Sequence, residues 1–192
     1  MNTRYLFTVI CLLGLTASLA QASDENVMLG SAKVSLNLSL AGSYVLDNGE
    51  ILEMRHDHGR ENIDFQYLIY PATASYEGTS DKILIEVHEM SISRQLDEQI
   101  QGKRQISGLE HCLEQSDMMP RRAEYQTEPY NIDGHEGILA TVDVGEDEPF
   151  CIAAYSPDEV DGSGSIVCIV GSAFSWDTTE RIFKSVRTQL AG

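Results

Sequence analysis

After Leu19 the chain has no uncharged apolar run long enough to cross a bilayer, which takes roughly 20 residues. It also lacks the local signatures of hydrolytic chemistry. No GxSxG elbow, HExxH helix or SxxK motif occurs, so the Ser, His and Asp present carry no diagnostic weight. Cysteine is sparse, with no CxxC or CxH spacing, which removes a structural zinc site. Cations are scarce: 13 Lys and Arg face 30 Asp and Glu, for a net charge of −17. Such a surface repels phosphate backbones and anionic membranes, which excludes nucleic acid as a partner. Internal repeats, low-complexity segments and interdomain linkers are missing too, so the chain reads as one domain.

What is present begins with a tripartite leader. Arg4 is the one cation of a short n-region, Tyr5 to Leu19 is mostly apolar, and Ala20-Gln21-Ala22 supplies the small-x-small cleavage pattern. The expectation is a signal peptide over residues 1–22, then a domain over 23–192 whose residues 23–32 form a flexible lead-in. The mature chain is then secreted, periplasmic or held at the cell surface, with no membrane anchor. Loss of Arg4 leaves 12 cations against 30 acids, or −18. A protein or cationic partner fits that charge, and no cofactor is implied.

Strand patterns follow. Lys33 to Leu40 alternates, as does Ile63 to Tyr70, which Pro71 ends. Asp81 to His88 is a short strand. Ile92, Leu96, Ile100, Ile106, Leu109 and Leu113 then recur at helical spacing and predict an amphipathic helix of five or six turns. Glu124 to Tyr130, Glu136 to Val144, Phe150 to Tyr155 and Ser165 to Gly171 read as strands, the last two forming a hairpin. Asp177 and Glu180 read as a capping box for a last helix with Ile182, Phe183, Val186 and Leu190 on one stripe, and Trp176 as a plug beside the cap. The sum is an α+β fold: an antiparallel β-sheet of seven or eight strands covered by a mid-chain helix and a C-terminal helix.

The run Tyr130-Asn131-Ile132-Asp133-Gly134, then Phe150 to Tyr155, Ser165 to Gly171, Trp176-Asp177 and Ile182 to Val186, resembles the end of PsbP/Mog1-like domains. The resemblance implies an antiparallel sheet between helices and a non-enzymatic binding or accessory role, with no shared catalytic residue to carry over. The meander before Pro71 departs from that family's pattern.

Three cysteines remain after the leader: Cys112, Cys151 and Cys168. In an oxidising compartment they predict one bridge, with Cys151 and Cys168 on paired strands the first choice, and one spare thiol. His56-Asp57-His58 is the candidate metal site. Alternate strand residues share a side, and imidazole with a carboxylate from Glu61 or Asp64 suits zinc, copper or nickel. A metal-binding extracytoplasmic protein is thus the rival reading. Asp158, Glu159 and Asp161 form an acidic loop out of register for an EF-hand. Mass analysis of protein taken from its host should find Ser23 as the first residue; an intact Met1 would refute the export reading.

Overall fold

Two blocks of alternating apolar residues fold from the rim of one sheet inwards and meet at its centre. The computed structural model describes residues 24–57, 64–92, 108–119, 123–143, 150–158 and 165–191. The first block supplies β3 (Tyr44–Asn48), β4 (Leu52–Asp57), β5 (Asp64–Tyr76) and β6 (Lys82–Ile92). The second supplies β7 (Tyr125–Ile132), β8 (His135–Val142), β9 (Phe150–Tyr155) and β10 (Ile166–Ser172). All pair antiparallel in the order β3-β5-β6-β10-β9-β8-β7, and β4 continues the β3 edge along β5. The expected α+β architecture is therefore present, with an eight-stranded main sheet.

A second, three-stranded sheet was not legible in the sequence. It is built from β1 (Glu25–Leu29), β2 (Ala32–Leu36) and the C-terminal β11 (Arg187–Leu190). The lead-in expected to be flexible is thus a hairpin, with Val27, Leu29, Ala32, Val34 and Leu36 buried. The turn of β1 and β2 is pinned from outside: Glu89 accepts hydrogen bonds from the Ser31 amide (2.5 Å) and hydroxyl (2.7 Å).

The small sheet and α2 (Trp176–Ser185) cover one face of the main sheet, over Ala72, Ala74, Ile83, Ile85, Val87, Ala153, Cys168 and Val170. The helix α1 (Gly108–Gln115) and the turn to Met118 cover the other, over Tyr67, Ile69, Ala140, Val142, Ile152, Ala154, Val167 and Ile169. Burial on both sides explains β9 and β10, which are apolar nearly throughout rather than alternating.

Several boundaries differ from expectation for physical reasons. The strand expected over Lys33 to Leu40 ends at Leu36. A 3-10 turn at Leu38–Ala41 then carries the chain between the sheets, with Leu38 still buried. Pro71 does not end β5. Its carbonyl accepts the Gly49 amide (3.0 Å), so its missing N–H faces the break between β3 and β4, where no strand needs a donor. Ile92 belongs to β6, and α1 is described from Gly108; residues 93–107, where most of the expected long helix falls, lie outside the described residues.

At the last helix the N-cap is Ser175, not Asp177. The Thr178 and Thr179 amides donate to the Ser175 carbonyl, and Asp177 sits in the first turn, where a negative charge complements the helix dipole. Trp176, expected as a plug, is 40% exposed. Leu190 leaves the helical stripe because the chain turns extended at Val186 and pairs with β2. The Asp133-Gly134 turn behaves as its sequence requires, with φ of 55° and 82°.

Gly30 tests the clamp on the small sheet. Its φ is +58°, and a Cβ there would overlap the Glu89 carboxylate and the Tyr70 ring. Gly30→Ala should lower stability by roughly 1–3 kcal/mol, from left-handed strain and the lost Glu89 contact, read as a shift in urea midpoint. An unchanged midpoint would show that the hairpin adds nothing to the core.

Candidate functional site

The middle of β6 carries the sequence Ile85-Glu86-Val87-His88. Period two sends Ile85 and Val87 to the small-sheet face and Glu86 and His88 to the α1 face. Since that face is also covered, a carboxyl and an imidazole end up inside the protein. Each is satisfied by a neighbour. His88 Nε2 lies 2.7 Å from Glu86 Oε2. His88 Nδ1 lies 2.5 Å from the Tyr67 hydroxyl, from the adjacent strand β5. The same hydroxyl lies 3.2 Å from Cys112 Sγ, brought down by α1. The four side chains form one chain, Cys112–Tyr67–His88–Glu86, with exposures of 0%, 6%, 1% and 3%, so solvent does not bathe any of them.

Within this chain the Tyr67 hydroxyl donates to Cys112 Sγ. Every member is thereby paired, as burial demands. Burial pushes the Cys112 thiol up to about 11 against a smaller downward pull from Tyr67, with Glu86 adding to the rise. Burial raises the Tyr67 phenol as well, with Cys112 and Glu86 reinforcing it.

A second buried group lies on the opposite face. The Tyr155 hydroxyl meets the Thr188 hydroxyl, which lies 3.9 Å from Cys168 Sγ. The Thr188 amide donates to Asp133 Oδ2 (2.7 Å), so this cluster ties β11 to the β7–β8 turn. The His135 ring stacks on the Tyr155 ring, 5.8 Å between centroids. Burial pushes the Cys168 thiol up to about 11 against smaller downward pulls from Tyr155 and Thr188. Beside this cluster, Asn131, Ile132, Asp133, Gly134, Lys184 and Arg187 line an open surface groove of about 380 Å³. Its charges are engaged within the protein: Lys184 pairs with Glu180 (2.8 Å) and Arg187 with Asp133 (3.8 Å).

Most of the residues expected to carry chemistry lie outside the described residues. His56 lies on the edge strand β4, opposite Phe65, and His58 lies outside the described residues. Among the described residues no group of three or more His, Cys, Asp and Glu could hold a metal ion. Asp158 closes its own hairpin, accepting from the Ser165 amide (2.8 Å) and the Ile166 amide (3.1 Å); Glu159 and Asp161 lie outside the described residues.

The expected bridge between Cys151 and Cys168 is corrected by the strand register. Cys151 faces Ser172 and Cys168 faces Tyr155, so the two are offset by four residues on neighbouring strands. At about 3.4 Å per residue that is roughly 14 Å, beyond the ~7 Å limit for a disulfide. Cys112 is on the other side of the sheet, and no disulfide joins these three thiols.

The sequence reading did not single out this buried chain: it placed His88 only at the end of the strand from Asp81. The available signal was a strand with apolar residues on one face and Glu86 and His88 together on the other, at a position fated for the centre of the sheet.

No protein-family model, curated protein or solved structure matches the chain.

Both thiols predict a stability that falls in alkali. Each folded-state value is raised from 9.0 to about 11, so the native protein holds these protons more tightly than the unfolded chain. Their contribution is complete below pH 9 and is lost as pH rises towards 11. Urea unfolding should show a loss of roughly 2 kcal/mol per thiol by pH 11. Cys112→Ala should remove its share of that slope; an unchanged slope would mean that Cys112 is not buried as a thiol.

Proposed function

We propose that the chain is an exported, acidic α+β domain of PsbP/Mog1-like type that acts as a binding or accessory module rather than as an enzyme. The observation that carries this reading is the inequality of the two edges of the main sheet. The β7 edge is defended: Gln126, Thr127 and Glu128 are exposed, and Pro129 removes a backbone donor. The other edge is partly apolar. Val45, Ile51 and Leu52 are 68%, 60% and 37% exposed along β3 and the start of β4, and no described strand pairs outside them. Exposed acids Asp47, Glu50 and Glu53 are interleaved with these apolar side chains.

A strand edge with this composition fits an extended segment of a partner protein that alternates basic and apolar residues. Such a segment adds as a further strand: main-chain hydrogen bonds supply affinity, and the alternating side chains supply specificity. A second copy of this chain fits less well, because its own acidic edge would face Asp47, Glu50 and Glu53. The overall charge of −17 steers a cationic partner in the same direction.

The test uses the mature chain and a synthetic ten-residue peptide alternating Lys and Val, against a Lys/Gly peptide of equal charge. The Lys/Val peptide should bind more tightly. A Val45→Glu, Ile51→Glu double variant, which adds acid while removing the apolar contacts, should weaken it by about tenfold or more. Equal binding of the two peptides, or of the variant, would reduce the effect to bulk charge and end the edge reading.

A further inference from the structure

We propose that Asn48 is a site of spontaneous deamidation in the folded protein, gated by the hydrogen bond that holds the Gly49 amide on the Pro71 carbonyl. The inference concerns the main chain at the edge of the sheet and is independent of any partner bound there.

The sequence singles out this residue. Deamidation begins when the backbone nitrogen of the following residue attacks the asparagine side chain, and a side chain on that following residue obstructs the approach. Asn2, Asn26, Asn37, Asn62 and Asn131 precede Thr, Val, Leu, Ile and Ile; Asn48 precedes glycine. The structure shows why glycine stands there. A Cβ at Gly49 would lie 2.8 Å from Pro71 Cγ, so the proline ring leaves no room for a side chain. Asn48 and Gly49 are both exposed, which admits the water and hydroxide that the reaction needs.

The fold supplies the gate. Asn48 pairs with Ala72 and Leu52 with Ile69, so Gly49, Glu50 and Ile51 bulge opposite Tyr70 and Pro71. Within that bulge the Gly49 amide donates to the Pro71 carbonyl (3.0 Å). While this bond holds, the Gly49 nitrogen is not free to attack, and strand pairing keeps the Asn48 backbone extended. β3 has five residues and no described strand outside it, so releasing its end costs far less than opening the centre of the sheet. On release, the Gly49 nitrogen bonds to Asn48 Cγ and gives up its proton to hydroxide. The side-chain nitrogen takes a proton from water and leaves as ammonia. Water then opens the resulting cyclic imide at either carbonyl, giving aspartate or isoaspartate. The balance is asparagine plus water giving a carboxylic acid plus ammonia, with no change of oxidation state. The product sets a new carboxylate between Asp47 and Glu50, and isoaspartate also lengthens the main chain where it enters the bulge.

The experiment holds the native mature chain at mildly alkaline pH and physiological temperature, beside a sample unfolded in guanidinium chloride. Peptides from both are mapped by mass for conversion of amide to acid. Hydrogen exchange measures the protection of the Gly49 amide and, at the centre of the sheet, of the Ile85 amide. Asn48 should convert ahead of the other asparagines in both samples. The native rate should be slower by about tenfold or more, and the ratio of the two rates should equal the Gly49 protection factor. Gly49→Ala combined with Pro71→Ala, which removes the ring that the new Cβ would meet, should keep the fold and bring Asn48 down to the rate of Asn26. Equal rates in the native and unfolded samples would overturn the gate. Conversion of Asn26 or Asn131 ahead of Asn48 in the native chain would overturn the site. A native rate reduced by the Ile85 protection factor would mean that only the unfolded chain reacts, which also overturns the proposal. If the double variant loses its fold, the comparison of the rate ratio with the Gly49 and Ile85 protection factors decides by itself.

Discussion

The antiparallel pairing of β6 with β10, in the register Val87 to Cys168 and Ile85 to Val170, is the constraint from which the rest of the molecule follows. It joins two meanders that are each complete on one side only. Because it lies at the centre, both of its faces must be covered, and the chain uses different material for each. The first and last strands close one face together with α2, and α1 closes the other. The termini of the described chain thereby become neighbours, since β2 pairs with both β1 and β11.

Coverage of both faces sets the terms for every polar group caught between the layers. A buried donor or acceptor without a partner costs about 1–3 kcal/mol, more if charged. Among the described residues no buried side-chain nitrogen or oxygen is left without a hydrogen bond. The solutions are few and specific. Thr179 bonds Ser172 and the Phe174 carbonyl where α2 begins. Tyr76 donates to the Leu38 carbonyl under the 3-10 turn (2.9 Å). The Cys112–Tyr67–His88–Glu86 chain joins α1 to the neighbouring strands β5 and β6, so the helix is fixed by polar as well as apolar contacts. The same burial that secures the helix raises the thiol and phenol, which ties the chemistry of this group to its structural duty.

Much of the local structure was legible. The turn at Asp133-Gly134, the hairpin of β9 and β10 and the buried stripe of Ile182, Phe183 and Val186 are written in nearest-neighbour chemistry: positive φ, short loops and helical spacing. The errors cluster where a local signal was answered from far away. Pro71 is a strand breaker in isolation, yet it is harmless beside the gap between β3 and β4. Leu190 fits a helical stripe by spacing, yet β2 offers a strand pairing that the helix does not. Cys151 and Cys168 fall on partner strands as expected, and an offset of four residues keeps them apart.

By itself, the sequence determined the fold class, the acidic character of the surface and the positions of most strands, because alternation, turn residues and net charge are properties of short stretches or of the whole composition. Tertiary structure alone decided the order of the strands, which thiols could meet, and that Glu86, His88, Tyr67 and Cys112 form one hydrogen-bonded chain. Those outcomes depend on strand register and on contacts between residues 21 and 45 positions apart, and a difference of one residue in pairing would send each side chain to the opposite face.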